Sequence, residues 1–266
     1  MTTIRVIGPG RAGRSLMAAL HAAGGYQVLE AYERARNPVD AARGVDVLVI
    51  ATPDGAVADV AAMVAPVAGT VVVHLSGSLG LDALAPHARR ASLHPLVPLP
   101  TPEVGSVRLR SGVTFAVAGE PAARSMAIAL GGHVVEVDDD RRTNYHAAAT
   151  IAANHVVALL GQVERVAATA GLPLGAFTGL VHAAVDDALA LGPHDALTGP
   201  AARGDWATVD RHRAVLAAMP GSRTELAAYD AMVALARRLS MDAPDVERSD
   251  QHPWPVDAQV PVEQVA

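Results

Sequence analysis

The sequence predicts a doubly wound α/β domain with a mostly parallel sheet, followed by an all-α domain. Short apolar runs alternate with helix-length segments through the first half, as in the right-handed crossovers of a parallel sheet. Past residue 140, long Ala-rich segments with helical periodicity replace the strand-like runs. We therefore place the α/β domain at residues 1–138 and the helical domain at residues 139–240. The segment 241–266, rich in Pro, Asp and Gln, is predicted to be a disordered tail.

The individual elements follow from apolar runs and the glycines and prolines that bound them. Strands are expected at residues 3–7, 27–32, 45–51, 70–75, 113–118 and 133–137, and helices at 15–23, 55–67 and 121–130. The segment 93–102 contains four prolines and is predicted to be an irregular connection, because proline cannot donate to a sheet ladder. The second half predicts helices at 143–170, 174–191, 205–218 and 224–239.

Composition excludes several classes of protein. The chain has no Cys, and its 21 basic residues are all Arg. Without Lys, Schiff-base enzymes and phosphate-loop nucleoside triphosphatases are excluded, and acid–base chemistry must use His, Asp, Glu, Tyr or water. Without Cys there is no thiolate zinc site, and the spacing of the 11 His forms no paired metal motif, so no metal is expected.

Charge and hydropathy indicate a soluble protein without nucleic-acid or membrane partners. The formal net charge is −6 and the basic residues are dispersed, which argues against nucleic acid. No apolar run approaches the roughly 20 residues needed to span a bilayer. Only seven residues precede the first glycine-rich loop, which leaves no room for a signal peptide, so we expect the cytoplasm.

A glycine-rich loop carries the clearest functional signal. The run Gly8-Pro9-Gly10-Arg11-Ala12-Gly13 directly follows the first predicted strand and opens a helix, the context of a dinucleotide-binding fingerprint. In that motif the first glycine makes a tight turn, the second lets the backbone approach a pyrophosphate and the third allows close helix–strand packing. The alternative is an ordinary glycine-rich turn without a ligand.

Two further segments are candidate cofactor contacts. Glu30 and Glu33 lie where an acidic residue grips the ribose hydroxyls, but Arg34 and Arg36 follow, and Arg accommodates a 2′-phosphate. The sequence therefore favours NADP, with NAD possible. The alternative is that all four are exposed charged residues of a loop with no role in binding. Thr52 and Pro53 end the third predicted strand, at the edge where ligands of open α/β sheets bind.

Candidate catalytic and substrate-binding residues lie further along the chain. His146, Thr150 and Asn154 recur at four-residue spacing on one predicted helix and are the expected catalytic stripe, a solvated polar face being the alternative. Ser76 and His94 are predicted to bind substrate, although either could serve only in a turn. Arg203 is expected to bind a substrate carboxylate, or else to pair with Asp205 in its own loop.

Taken in order, these motifs resemble a known family over about residues 3–240. They are the 8–13 loop, the turns at Ser76-Gly77 and His94-Pro95, residues 145–149 with Asn154, and the segment 197–205. The chain resembles a Rossmann-like family with a helical C-terminal domain, within the wider 6-phosphogluconate dehydrogenase-like superfamily. The resemblance implies NAD(P)-dependent reduction of a small carbonyl or imine.

The resemblance also carries a departure. Many β-hydroxyacid dehydrogenases have a Lys four residues before an Asn on this helix; Asn154 matches that Asn, but Thr150 stands in place of the Lys. His146 is the expected substitute as proton donor, a bound water being the other option.

Some members of the family look like 2-dehydropantoate (ketopantoate) reductases of pantothenate biosynthesis, so a 2-keto acid, with 2-dehydropantoate as best guess, is the expected substrate. The alternatives are a dinucleotide-binding sensor or scaffold and a deazaflavin- or imine-type reductase. We also expect a homodimer through the Ala-rich helical half.

Overall fold

The computed structural model describes residues 1–33 and 36–241. Arg34, predicted to contact the cofactor, and residues 242–266 of the predicted tail lie outside the described residues. The chain divides into two compact units between Ala153 and Asn154. The change from alternating strands and helices to helices alone comes earlier, after the last strand ends at Glu136.

A seven-stranded sheet forms the centre of the first unit, with strand order β2-β1-β3-β4-β5-β6-β7. All neighbouring strands are parallel except β5 and β6, which confirms the predicted mostly parallel sheet. The strands are β1 (Thr2–Ile7), β2 (Tyr26–Val28), β3 (Val47–Ile50), β4 (Val71–His74), β5 (Arg90–Pro95), β6 (Thr114–Gly119) and β7 (His133–Glu136).

Helices cover both faces of this sheet, because successive side chains of each buried strand point to opposite faces. They are α1 (Arg11–Ala23), α2 (Asp54–Met63), α3 (Pro102–Leu109) and α4 (Ala122–Ala129). Val47 and Val49 belong to one buried apolar cluster, with residues of α1, α3 and α4. Leu48 and Ile50 belong to a second cluster, with residues of α2. This doubly wound arrangement is the predicted fold.

Strand β5 corrects the sequence prediction. The segment beginning at residue 93 was expected to be irregular because of its prolines, yet Ala91 and Leu93 are fully buried in a strand that pairs antiparallel with β6. Only Pro95 falls within the strand, at its last position, where it pairs with Phe115. Pro95 lacks an N–H donor, but Leu96 N donates to the carbonyl oxygen of Thr114 at 2.8 Å and continues the pairing. The apolar alternation before Pro95 therefore decides the structure.

The remaining helices begin with α5 (Arg142–Thr150), which is followed by a π-helical turn at Ile151–His155 and by α6 (Val156–Thr169). One long regular helix was predicted here. The π turn departs from that prediction; such turns often occur at functional sites. The chain continues with α7 (Thr178–Leu191), α8 (Pro193–Ala196), α9 (Pro200–Arg203), α10 (Trp206–Ala218) and α11 (Ser222–Met241).

One helical segment, Leu174–Leu191, is long and apolar enough to cross a membrane by length and composition alone. It has 18 residues and a mean hydropathy of 1.3. A single segment of this kind is weak evidence for a membrane span.

Two glycines of the first loop set the approach of α1 to the sheet. Gly8 has a backbone φ of +86°, which residues other than glycine rarely adopt. A Cβ on Gly13 would lie 2.4 Å from the carbonyl oxygen of Gly8 and 3.2 Å from Val6 Cγ1. The helix therefore contacts the strand through its bare backbone, as the fingerprint predicts.

We expect Gly13→Ala to lower the free energy of unfolding by about 1–3 kcal/mol, since the added methyl group overpacks a backbone contact. Gly10→Ala is the matched control, because a Cβ there meets no atom within 4 Å. Its cost should stay below about 1 kcal/mol. Urea denaturation of both variants measures this difference, and equal losses would contradict the packing role of Gly13.

Candidate functional site

The 8–13 loop presents the start of α1 at the carboxyl end of β1. Gly10 precedes the helix in extended conformation and accepts a hydrogen bond from Arg14 N at 2.9 Å. The first N–H groups of a helix lack intrahelical acceptors and carry the positive end of its dipole. Because a Cβ on Gly10 would meet no protein atom within 4 Å, the backbone is open to an anion at this point.

Thr52 lies beside this loop, just after β3. Its Cγ2 is 3.1 Å from the position of a Cβ on Gly8, and its buried Oγ1 has no hydrogen-bond partner among the described residues. Pro53 follows as the residue before α2. Thr52 thus offers an uncommitted hydroxyl at the same edge of the sheet as the open helix end.

The segment after β2 holds an arginine over an aromatic ring. Tyr32 is buried and forms an isolated bridge with Ile7, while the guanidinium carbon of Arg36 lies 4.1 Å from the centre of its ring. Glu33 is exposed, and its carbonyl oxygen accepts a hydrogen bond from Arg36 N. The guanidinium of Arg36 is therefore held at the surface beside the end of β1.

A hydroxyl–carboxylate network shapes the turn after β4. Asp54 Oδ2 accepts hydrogen bonds from Ser76 Oγ and Ser78 Oγ, each at 2.7 Å. Ser76 Oγ in turn accepts from the backbone N–H groups of Ser78 and Leu79 at 3.1 Å. Ser76 is thus committed to the turn, the role that the sequence left open, and its contact with substrate stays a prediction.

Two histidines flank the glycine of this turn. A Cβ on Gly77 would lie 2.7 Å from His146 Cδ2 and 2.8 Å from His94 Cε1. The rings of His94 and His146 meet edge to face with centroids 6.0 Å apart, and Tyr145 Oη is 2.5 Å from His94 Nδ1. The bare Gly77 backbone therefore lies against a group of three ring side chains from β5 and α5.

A buried arginine lies beneath this group. Arg142 is fully buried at the start of α5 and donates hydrogen bonds to Ser92 Oγ and to the carbonyl oxygen of Ser76. Its Nε is 3.3 Å from Asp139 Oδ1. Asp139 also accepts a hydrogen bond from Leu81 N at 2.8 Å. The guanidinium ties α5 to β5 and to the turn after β4.

Burial and this cation set the protonation of the cluster. The pKa of His94 is lowered to about 4 by burial, by His146 and by the guanidinium of Arg142. The pKa of the fully buried His74, at the end of β4, is lowered to about 4 by burial and by Arg142. Burial raises the pKa of the Tyr145 phenol to about 12. All three groups are therefore neutral near pH 7.

The rest of the predicted catalytic stripe is divided between the units. His146 lies within α5 and Thr150 is its last residue, so both belong to the first unit. Asn154 lies in the π turn and is the first residue of the second unit. Arg203 ends α9 in the second unit, where it is exposed and donates to the carbonyl oxygen of Thr198. Asp205 instead accepts from Thr208 N at the start of α10.

Sequence reasoning assigned no individual role to several residues around the rings at Gly77, namely Asp54, His74, Asp139, Arg142 and Tyr145. One available signal was the spacing of Arg142, Tyr145 and His146, which places all three on one helix face. Another was His74, a polar residue at the end of a β-branched run. Within residues 1–33 and 36–241, no group of three or more His, Asp or Glu is placed to hold a metal ion.

Two models of known domains match parts of the chain. Residues 31–100 match the model of a Rossmann-like domain, and residues 112–236 match that of a domain of unknown function, DUF2520. Among curated protein sequences, none matches the chain.

Solved structures with the same fold cover nearly the whole chain. A protein from Thermotoga maritima has 24% identity and a TM-score of 0.67, over 90% of this chain and 98% of its own. A candidate NADP oxidoreductase from Bacteroides fragilis has 19% identity and a TM-score of 0.71, over 89% and 98%. A reductive aminase from Aspergillus terreus, solved with NADPH and ethyl levulinate, has 16% identity and a TM-score of 0.64, over 91% and 95%. These likenesses confirm the fold.

The lowered pKa values predict an acid-sensitive fold. The unfolded chain binds protons at His74 and His94 below about pH 6.5, whereas the folded protein binds them only near pH 4, so stability must fall as pH falls between these values. We expect His74→Gln to make this decline shallower. Urea denaturation at pH 7 and pH 5 measures it.

His21→Gln, at an exposed position of α1, is the control and should keep the wild-type decline. An unchanged decline in His74→Gln would show that His74 is not held neutral by the fold.

Proposed function

We propose that the protein is an NADPH-dependent reductase of a small 2-oxo acid. The observation that carries this proposal is the open start of α1 at Gly10, on the same carboxyl edge of one parallel sheet as the cluster around Gly77. Ligands of open α/β sheets bind at that edge. The names of two structural relatives, an NADP oxidoreductase and a reductive aminase solved with NADPH, support a nicotinamide cofactor.

The residues present fit a dinucleotide. The pyrophosphate would lie on the backbone of the 8–13 loop, where a Cβ on Gly10 would occupy open space, with the buried Thr52 hydroxyl beside it. Arg36, held over Tyr32, is our proposed contact for the 2′-phosphate, which favours NADP over NAD. Glu33 remains the proposed contact for the ribose.

When bound in reduced form, the cofactor supplies a hydride. The chain must then orient the carbonyl and provide a proton, and the cluster at Gly77 supplies ring N–H and O–H donors for both tasks. His146, with Thr150 and Asn154, is the donor group that the sequence predicts. Arg203 is the proposed partner of the substrate carboxylate, and 2-dehydropantoate remains the specific substrate proposed.

A second candidate is reduction of an imine. It is favoured by the reductive aminase and by the imine reductase from Streptomyces aurantiacus, which has 18% identity and a TM-score of 0.60. Oxidation of NADPH with 2-dehydropantoate and with 1-pyrroline separates the two substrate classes. Tight NADPH binding without turnover of either compound would favour a sensor or scaffold instead.

We further propose a cytoplasmic homodimer formed through the second unit. Helix α7 exposes large apolar side chains, with Leu180 and Leu189 69% and 68% exposed. A second copy of the chain would bury such a face. Light scattering at micromolar concentration measures the mass, and a monomer would contradict the proposal.

Gly10→Val should abolish NADPH binding while the protein still folds. Its backbone at φ −77° and ψ −166° accepts a β-branched residue, whose side chain would fill the space assigned to the pyrophosphate. Fluorescence titration with NADPH measures the affinity. Wild-type affinity in the folded variant would defeat the placement of the cofactor.

Arg36→Ala should weaken NADPH binding by about tenfold or more and leave NADH binding nearly unchanged, because a charge-assisted hydrogen bond to phosphate contributes about 1.5–3 kcal/mol. Arg43→Ala is the matched control, since Arg43 is an exposed arginine paired with Asp40. Equal losses for NADPH and NADH in Arg36→Ala would contradict a 2′-phosphate contact.

A further inference from the structure

The hydrogen bond between Tyr145 and His94 joins two elements at the proposed reaction site. His94 lies near the end of β5, and Tyr145 lies in the first turn of α5, three residues after Arg142. The Oη–Nδ1 distance is 2.5 Å, with the rings at 89° and their centroids 5.6 Å apart. His146 touches His94 edge to face but makes no hydrogen bond to any described residue.

An imidazole bonded in this way can carry a proton without becoming charged. If Tyr145 donates to Nδ1, the proton of neutral His94 resides on Nε2, the nitrogen without a partner among the described residues. Delivering that proton while accepting one from Tyr145 exchanges one neutral tautomer for the other. The lowered pKa of His94, due to burial, His146 and Arg142, disfavours the imidazolium and thus suits such a relay.

Arg142 can stabilise the charge left on the phenol. Its positive charge favours the phenolate of Tyr145, opposing the effect of burial on the pKa. Because Arg142 is fully buried and held by Ser92 and Asp139, it cannot move away to solvent. The charge that develops on Oη as its proton leaves is therefore stabilised by the field of a fixed cation.

We propose that Tyr145 and His94 form the proton relay of the reductase, in which His94 delivers the proton and Tyr145 replaces it, so that His146 is not the donor. As hydride adds to the carbonyl carbon, the C=O π electrons move to oxygen, and that oxygen takes the proton from His94 Nε2. His94 Nδ1 takes the Tyr145 proton in the same step. After the product leaves, Nδ1 returns this proton to the phenolate and Nε2 takes one from water, which restores the starting tautomer. The substrate thus gains a hydride and a proton, and the nicotinamide is oxidised.

This inference rests on the proposed function. The variant Tyr145→Phe tests it, because it removes only the phenolic hydroxyl. We expect kcat to fall by about 10²–10⁴-fold with NADPH affinity unchanged. Tyr229→Phe is the matched control, because Tyr229 Oη lies 2.8 Å from His212 Nδ1 in the second unit, with rings at 85°. That variant should keep wild-type kcat.

A second variant and a ligand-free measurement complete the test. His94→Gln should lose as much kcat as Tyr145→Phe, and the double variant no more than either alone, since the two groups act as one unit. Nitrogen NMR of histidine-labelled protein without ligand should show His94 protonated on Nε2, with the Nδ1 signal shifted in Tyr145→Phe.

The outcomes separate the relay from the proposed function. If the wild type oxidises NADPH with neither 2-dehydropantoate nor 1-pyrroline, the proposed function fails and the relay fails with it. If the wild type turns over but Tyr145→Phe keeps its kcat, or His94 carries its proton on Nδ1, the relay alone is overturned. A large loss confined to His146→Ala would assign the proton to His146.

Discussion

The buried guanidinium of Arg142 is the interaction on which the candidate site depends. A cation removed from water is costly unless it is paired and hydrogen-bonded. Arg142 is paired with Asp139 and donates to Ser92 and to the carbonyl oxygen of Ser76, while its Nε makes no hydrogen bond to a described residue. These partners come from the segment before α5, from β5 and from the turn after β4. Satisfying one charge therefore fixes the start of α5 against the sheet, together with Tyr145 and His146.

The parallel strands explain why the 8–13 loop and the rings at Gly77 lie at the same edge of the sheet. The 8–13 loop follows β1, Thr52 follows β3, and Ser76 follows β4, and these strands are parallel neighbours, so their carboxyl ends lie together. His94 reaches the same edge from β5, which is parallel to β4. The glycines at 8, 13 and 77 let backbone approach where a side chain would collide. Close backbone packing thus shapes both the loop and the cluster.

The sequence contained most of the fold but only part of the site. Alternating apolar runs predicted six strands, and the 8–13 spacing predicted the packing of Gly13, because both patterns are local. Strand β5 was missed because the prolines after Leu93 outweighed a short alternation. Arg142 and Tyr145 were given no role from the sequence. Arg142 depends on Ser92 and Asp139, and Tyr145 depends on His94, and the fold brings these partners together. Asn154 and Arg203 lie in the second unit, and their roles remain predictions.

The central claim is that one dinucleotide reaches from the 8–13 loop to the cluster at Gly77. Nitrogen NMR of histidine-labelled protein tests it directly, with NADP⁺ compared against adenosine 2′,5′-bisphosphate, which lacks the nicotinamide. We expect saturating NADP⁺ to shift the ring signals of His94 and His146, and the adenosine compound to bind without shifting them. Saturation with NADP⁺ without any change at either histidine would contradict it.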